Sequence, residues 1–442
     1  MSLKNNAGSK VPIVPSYLIF AFIIITICFP LWGFANDITN PMVSSFRTIL
    51  LLKNWQSALV QMAFYGGYFA MAFPAALFIK RYSYKAGILM GLGLYALGAL
   101  LFYPASFTMS FAPFIIAYFI LTCGLSFLET SANPYILSMG PEETSTQRLN
   151  LAQAFNPLGS LIGMFTAKEV ILSKLDPTSY QERLNLMTNN VAKLQEITAS
   201  DLEVVRKPYI IIGLVILLFF FIVLVVRMPK PGRDHSIHFL VSVKRLLKSK
   251  RYYEGVIAQF FYVGAQILCW TFIIQYGEDL GLTRAEAQQY NIIAMILFVS
   301  NRFIATFLMK YIKPGKLLMI FGIGGVIFTT GAIILPGMTG LYSLVGISAC
   351  MSLMFPTIYG IALKGTGDDA KFGAAGLIMA ILGGSVLPPL QALILDLGGE
   401  GYSDISILGV SEVKFSFILP LLCLMVVTIY GYRTMTIHNK KE

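Results

Sequence analysis

The sequence has 442 residues, of which 56% are hydrophobic and only 12% are charged. A soluble domain carries about 25% charged residues, so this composition excludes an ordinary soluble protein and indicates an integral membrane protein. The formal net charge of +11 would favour nucleic-acid binding in a soluble protein. In a membrane protein the placement of the charges matters more than their sum, and we expect no nucleic-acid partner.

Apolar stretches long enough to cross a ~30 Å hydrocarbon core recur along the whole chain. Helices are expected, because lipid offers no hydrogen-bond partner to an unpaired backbone. We predict an all-α membrane protein embedded in the lipid bilayer, with twelve transmembrane helices in two six-helix bundles. The predicted spans lie near residues 15–39, 56–79, 86–103, 111–139, 149–172, 208–226, 254–276, 287–309, 317–335, 341–363, 372–395 and 415–432.

The most basic region, residues 227–253, separates six predicted spans from six. We predict an N-terminal bundle over 1–226, a basic cytoplasmic linker over 227–253 with an amphipathic helix from His238 to Leu247, and a C-terminal bundle over 254–442. Two pairs of motifs recur at roughly 225 residues: FIKRYSYKAG with FLMKYIKPGK, and NPYILSMGPEE with FPTIYGIALKGTGDD. A parallel repeat of this kind is typical of transporters of the major facilitator type, whose substrate site lies between the halves at mid-depth.

The basic residues also predict the orientation of the chain. If both termini are cytoplasmic, most of the 33 Lys and Arg fall on the cytoplasmic side, as the positive-inside rule requires.

Glu129 lies in the middle of an apolar run, CGLSFLETSANPYILSMG. Counted back from Gly140 at 1.5 Å per residue, it lies roughly 16 Å from the inner face, close to the midplane. A carboxylate at that depth costs a few kcal/mol, so it normally faces a cavity or a partner. Two interpretations stay open: a carboxylate on a transport path, or a structural carboxylate bound to a neighbouring helix through Arg302.

Polar side chains recur at helical spacing on the other spans. Amides interleaved with aromatic rings suit a neutral sugar, because amides bind hydroxyls and ring faces cover the apolar side of the sugar. Basic residues are few inside the predicted spans, which disfavours an anionic substrate. We predict substrate-binding roles for Asn36, Asn40, Gln61, Tyr65, Asn133, Gln153, Asn156, Gln259, Tyr262, Gln266 and Trp270. Asp37 is either part of this site or a carboxylate at the outer helix end, already in water.

Several motifs resemble those of one transporter family: FLETSANPY, RLNLAQAFN, QMAFYGGYFAMAFPA and YVGAQILCW. They are similar to the L-fucose permease branch of the fucose–galactose–glucose proton symporters. The resemblance implies uptake of a monosaccharide, L-fucose above all, into a bacterial cytoplasm across the inner membrane. It also implies H⁺ as the coupling ion, no cofactor, and a monomer.

In that family a glutamate at the position of Glu129 and an aspartate on the first helix couple proton and sugar, and the amide at the position of Asn156 lies in the sugar cavity. The aspartate's position is occupied here by Asn40, and Asp37 stands one turn earlier. Either Asp37 has taken over, or coupling rests on Glu129 alone, or coupling is altered. A tyrosine of the family is also replaced, by Phe355. A symporter of galactose, glucose, arabinose or N-acetylglucosamine, and an uncoupled sugar uniporter, therefore stay open as alternatives.

An enzyme is disfavoured by the placement of reactive residues. The three histidines, His235, His238 and His438, lie in the linker and tail, and no catalytic or metal-binding motif is present. The five cysteines fall inside predicted spans and are expected to be small buried hydrophobes. A channel or a transporter-like sensor is the second rival.

Overall fold

The computed structural model describes residues 12–39, 42–52, 56, 59–178, 180–228, 239–282, 284–395, 397 and 405–436. The first half of the chain forms α1 (Ile19–Thr39), α2 (Met42–Ile49), α3 (Leu59–Arg81), α4 (Tyr84–Leu100), α5 (Phe102–Phe107), α6 (Phe111–Leu137), α7 (Ser145–Gln153), α8 (Asn156–Thr166), α9 (Tyr180–Asn189) and α10 (Val191–Val225). Short 3₁₀ turns lie at Ser16–Leu18, Glu142–Thr144 and Leu172–Lys174, and one π-helical turn lies at Ala167–Ile171.

The second half begins with a helix in the predicted linker. It forms α11 (Phe239–Lys248), α12 (Lys250–Asp279), α13 (Arg284–Leu308), α14 (Pro314–Ile334), α15 (Gly337–Met351), α16 (Met354–Leu363), α17 (Ala370–Met379), α18 (Gly383–Leu395), α19 (Glu412–Ser416) and α20 (Ile418–Thr436). Two 3₁₀ turns lie at Gly367–Asp369 and Ala380–Leu382, and β1 (Ser406–Ile407) pairs antiparallel with β2 (Val410–Ser411).

The predicted membrane fold is confirmed. Within the described residues, ten helical segments are long and apolar enough to cross a membrane. The predicted second and fifth spans are not among those ten but are also helical, as α3 and as the pair α7 and α8. The count of twelve crossings is consistent with this arrangement and stays a prediction.

Two predicted spans differ from the structure in a way that matters for the site. The sixth was expected to begin at 208, yet α10 begins at Val191, where the Asn190 side chain accepts a hydrogen bond from the Lys193 N–H and caps the helix. The fifth was expected to be continuous, yet it is broken between Gln153 and Asn156. Hydropathy finds apolar segments and is insensitive to both features.

We call the face that carries α11 the linker side. The loop before α17 lies there, because Arg245 of α11 pairs with Asp369 at 2.9 Å. The N-terminal segment is bound to α7, because Arg148 donates to the Ile13 carbonyl. The opposite side carries α2, α9 and the β1–β2 hairpin. Each span therefore runs between these two faces.

The first and fifth spans pack backbone against backbone. A Cβ added at Gly159 would lie 1.9 Å from the Pro30 carbonyl oxygen, and one added at Gly33 would lie 2.2 Å from the Asn156 carbonyl oxygen. Only glycine permits this approach, as in other close-packed membrane helices. The contact fixes the polar end of α1 beside the start of α8.

Candidate substrate-binding cavity

A cavity of about 170 Å³ lies between the two halves of the chain. Its walls come from spans of both halves and combine carboxylates, amides and aromatic rings. The lining residues are Trp32, Asn36, Asp37, Phe64, Tyr65, Tyr68, Glu129, Gln153, Asn156, Pro157, Ser160, Tyr262, Val263, Gln266, Ile267, Trp270, Met295, Phe298, Arg302, Phe355 and Ile381. Such a mixture can bind hydroxyl groups and the apolar face of a small ligand.

Glu129 reaches this cavity from α6. Its side chain is buried, with 6% exposure, and Oε1 accepts a hydrogen bond from the Tyr68 hydroxyl at 2.9 Å. Among the described residues, no Lys, Arg or His forms an ion pair with it. Arg302, the partner considered for a structural role, instead donates to the backbone carbonyls of Gln153 and Ser352. The carboxylate is therefore held by a neutral hydroxyl at the edge of a cavity.

Most of the predicted site residues meet at this cavity. Nine of them line it, namely Asn36, Asp37, Tyr65, Glu129, Gln153, Asn156, Tyr262, Gln266 and Trp270. Asp37 thus faces the cavity from the last turn of α1. Asn40 lies outside the described residues, and the structure describes the backbone but not the side chain of Gln61.

Two predicted residues lie beneath the cavity, toward the linker side, and do not line it. Asn133 is fully buried, and its Oδ1 accepts a hydrogen bond from Gln153 Nε2 at 2.9 Å. Gln259 is also fully buried, and neither its Oε1 nor its Nε2 has a partner among the described residues. Both amides are sealed from the cavity in this conformation.

Several lining side chains are held in place by their own hydrogen bonds. Trp270 Nε1 donates to Ser348 Oγ at 3.1 Å, and Asn156 Nδ2 donates to the Phe29 carbonyl at 3.1 Å. Asn36 Oδ1 has no partner among the described residues although it is buried. A ligand hydroxyl that donates to this oxygen would satisfy it.

Sequence reasoning missed part of the wall. Trp32 and Ser160 line the cavity one helical turn from Asn36 and Asn156 respectively, so the i, i+4 spacing could have found them. Phe298 was not detectable in this way. It reaches the site by packing edge-on against Trp270, with ring centroids 5.1 Å apart.

Contacts between the two halves close the linker side of the cavity. Gln147 Nε2 donates to the Thr306 carbonyl at 3.1 Å, and Asn150 Nδ2 donates to Thr357 Oγ1 at 3.2 Å. Asn150 precedes Gln153 by three residues on α7, but it joins the two halves and does not line the cavity.

A polar cavity between the two halves of a helical membrane protein is typical of a secondary transporter. The chain belongs to the Major Facilitator Superfamily, whose sequence profile matches residues 23–388.

Individual relatives agree with this assignment. The chain is 52% identical to the L-fucose-proton symporter of Haemophilus influenzae over 423 residues, covering 95% of this chain and 97% of the relative. It is 34% identical to the L-fucose-proton symporter of Escherichia coli over 444 residues, 99% of this chain and 97% of that one. A crystal structure of the transporter FucP in the outward conformation superposes with a TM-score of 0.83 at 34% identity, covering 94% of this chain and 98% of that chain. These relatives are transporters, in agreement with the exclusion of an enzyme.

Proposed function

We propose that this protein is a proton-coupled symporter that takes up L-fucose by alternating access. Two relatives that align over nearly the whole chain carry the name L-fucose-proton symporter. The cavity adds a chemical reason, because its amides and aromatic rings suit a neutral monosaccharide better than an anion. The protein needs no cofactor besides the coupling ion, H⁺.

The observation that carries the proposal is the position of Glu129. Its carboxylate lies at the cavity wall, bonded to Tyr68 and to no cation among the described residues. A carboxyl group binds a proton more tightly when its surroundings lose water, and releases it when water returns. Opening the cavity first to one side and then to the other therefore links the protonation of Glu129 to the conformation, with a coupling of about 1–3 kcal/mol.

Asp37 is the second coupling candidate. It lines the same cavity from α1, whereas Glu129 lines it from α6. This placement supports the interpretation that Asp37 replaces the first-helix aspartate of the family, whose position is taken by Asn40.

We further propose that the linker side is cytoplasmic, with both termini on that side of the bacterial inner membrane. Basic residues of the linker and of the loops after α3 and α13 support this orientation. The cavity then faces outward, since the bonds of Gln147 and Asn150 between the halves lie on the cytoplasmic side. The transporter is expected to act as a monomer of two six-helix bundles, over 1–226 and 254–442.

Proteoliposomes provide the test. L-fucose should accumulate when an inward proton gradient is imposed, and labelled L-fucose should exchange without one. Glu129→Gln should keep exchange and lose accumulation, because the amide cannot carry a proton. Unchanged proton-driven accumulation by this variant would contradict the role of Glu129. Asp37→Asn separates the two candidates: normal accumulation would leave coupling to Glu129 alone.

The substrate is tested by the same assay with D-galactose, D-glucose, D-arabinose and N-acetylglucosamine. Phe355 lines the cavity where the family has a tyrosine, which removes one hydroxyl from the wall. We expect L-fucose to be preferred. Faster uptake of another sugar would replace L-fucose as the proposed substrate and leave the symport proposal intact. If none of these sugars were exchanged, the symport proposal would be refuted.

A further inference from the structure

Two prolines near the cavity each leave one backbone carbonyl without its helical partner. Proline has no N–H, so the carbonyl four residues earlier loses its helical hydrogen bond. Pro157 frees the Gln153 carbonyl at the end of α7, and Pro356 frees the Ser352 carbonyl just after α15. Free carbonyls at helix ends also carry partial negative charge. These two groups lie in different halves of the chain.

Arg302 binds both of these carbonyls. Its Nη1 donates to the Gln153 oxygen at 3.0 Å, and its Nε donates to the Ser352 oxygen. The side chain is 3% exposed, and its guanidinium carbon lies 4.5 Å from the centroid of the Phe298 ring. No carboxylate within the described part of the chain forms an ion pair with it. Two helix ends therefore supply the compensation that a buried cation needs.

The two bonds differ in what they connect. Arg302 and Ser352 belong to the second half and move together, whereas Gln153 belongs to the first. Opening of the linker side must break the bond to Gln153 and can leave the bond to Ser352 intact. Gln153 and Arg302 also line the cavity, so a ligand there would lie beside both partners of the bond that must break.

We propose that Arg302 is a positioning residue that holds the linker side closed. It does so by binding, across the seam between the two halves, the Gln153 carbonyl that Pro157 leaves free. The proposal rests on the alternating access proposed above. It adds a named closure element that is separate from the carboxylates of proton coupling.

Distance measurements between spin labels test the proposal without any sugar. The labels are placed by Glu142→Cys and Lys310→Cys, two exposed linker-side positions in different halves, and the five native cysteines are buried. Arg302→Met removes both donors and should raise the ratio of linker-side-open to closed molecules about tenfold or more, as expected for a bond from a charged donor. Arg302→Lys should give a smaller rise, and it serves if the Met variant does not fold.

Three control variants distinguish a specific closing bond from a general loss of stability. Gln147→Met removes a neutral bond across the same seam, to Thr306, and should shift the ratio less than Arg302→Met. Pro157→Ala restores an N–H for the Gln153 carbonyl, so in that background the effect of Arg302→Met should shrink. In a Pro356→Ala background it should stay the same, because the Ser352 bond does not cross the seam.

Three results would overturn the proposal: an unchanged distance distribution in both Arg302 variants, a shift no larger than that of Gln147→Met, or equal coupling to the two prolines. None of these depends on L-fucose being the substrate. A failed uptake assay would instead count against the proposed function alone.

Discussion

Gln259 allows a test of whether the buried amides serve a second conformation. The side chain lies on α12 one turn toward the linker side from Tyr262 and Val263, which line the cavity. It is fully buried, and both its polar atoms lack a partner among the described residues. An amide left in this state costs about 1–3 kcal/mol. Methionine has a similar length and no such requirement, so Gln259→Met should stabilise the described conformation by about that amount.

The same substitution, Gln259→Met, should slow transport although it raises stability. If the amide contacts water or sugar when the linker side opens, Gln259→Met removes that contact and favours the closed form. We expect a higher thermal unfolding temperature of the purified protein, together with slower L-fucose exchange in proteoliposomes.

Gln391→Met is the matched control for Gln259→Met. Gln391 is equally buried, but its Nε2 donates to Ser416 Oγ at 2.9 Å, and it lies away from the cavity. Its Oε1 also lacks a partner among the described residues. Its replacement removes one unmet polar atom and one made bond, and should therefore stabilise the protein much less than Gln259→Met. A lower unfolding temperature for Gln259→Met, or faster exchange with higher stability, would refute the reasoning.

Two further predictions concern stability. Gly159→Ala should destabilise the protein by about 1–3 kcal/mol or prevent folding, because its Cβ would lie 1.9 Å from the Pro30 oxygen; thermal unfolding and the yield of monodisperse protein measure this. Asp201→Asn should destabilise the loop on the opposite side by about 3–5 kcal/mol, because it breaks a pair with Arg183 at 2.6 Å in which both side chains are 1% exposed; protease cleavage between α8 and α10 reports the loss.

Each of these has a control within the chain. Within the described residues a Cβ at Gly93 would meet only Phe220, at 3.8 Å, so Gly93→Ala should not lower stability. Glu203 pairs with Lys207 at 3.1 Å on an exposed surface, and Glu203→Gln should leave protease cleavage unchanged. Equal effects of test and control variants would contradict the packing and burial arguments respectively.

The membrane fold and much of the cavity could be predicted from the sequence, because their causes are local. A run of apolar residues sets a span, and 1.5 Å per residue sets the depth of Glu129. Helical spacing then brings Gln266 and Trp270 to the same wall. These steps need no knowledge of how the spans pack.

The placement of Asn133 and Gln259 could not be predicted in the same way, because it depends on which side of the molecule is closed. Asn133 shares a helical face with Glu129, but Gln153 covers it. The function of Arg302 is also non-local. Pro157 and Pro356 are visible in the sequence, but only the packed structure shows that one guanidinium reaches both carbonyls that they free.

The length of α10 has a practical consequence. Its 35 residues extend about 52 Å at the helical rise, against ~30 Å of hydrocarbon, so roughly 20 Å projects from the side opposite the linker. The Asp201 carboxylate near its beginning fixes the adjoining loop through Arg183. Under the proposed alternating access, this extension should rotate with the first bundle, and its tip should be displaced further than atoms inside the bilayer. An antibody fragment bound there would enlarge the particle for electron microscopy, and a fluorophore there would report each turnover as an amplified swing.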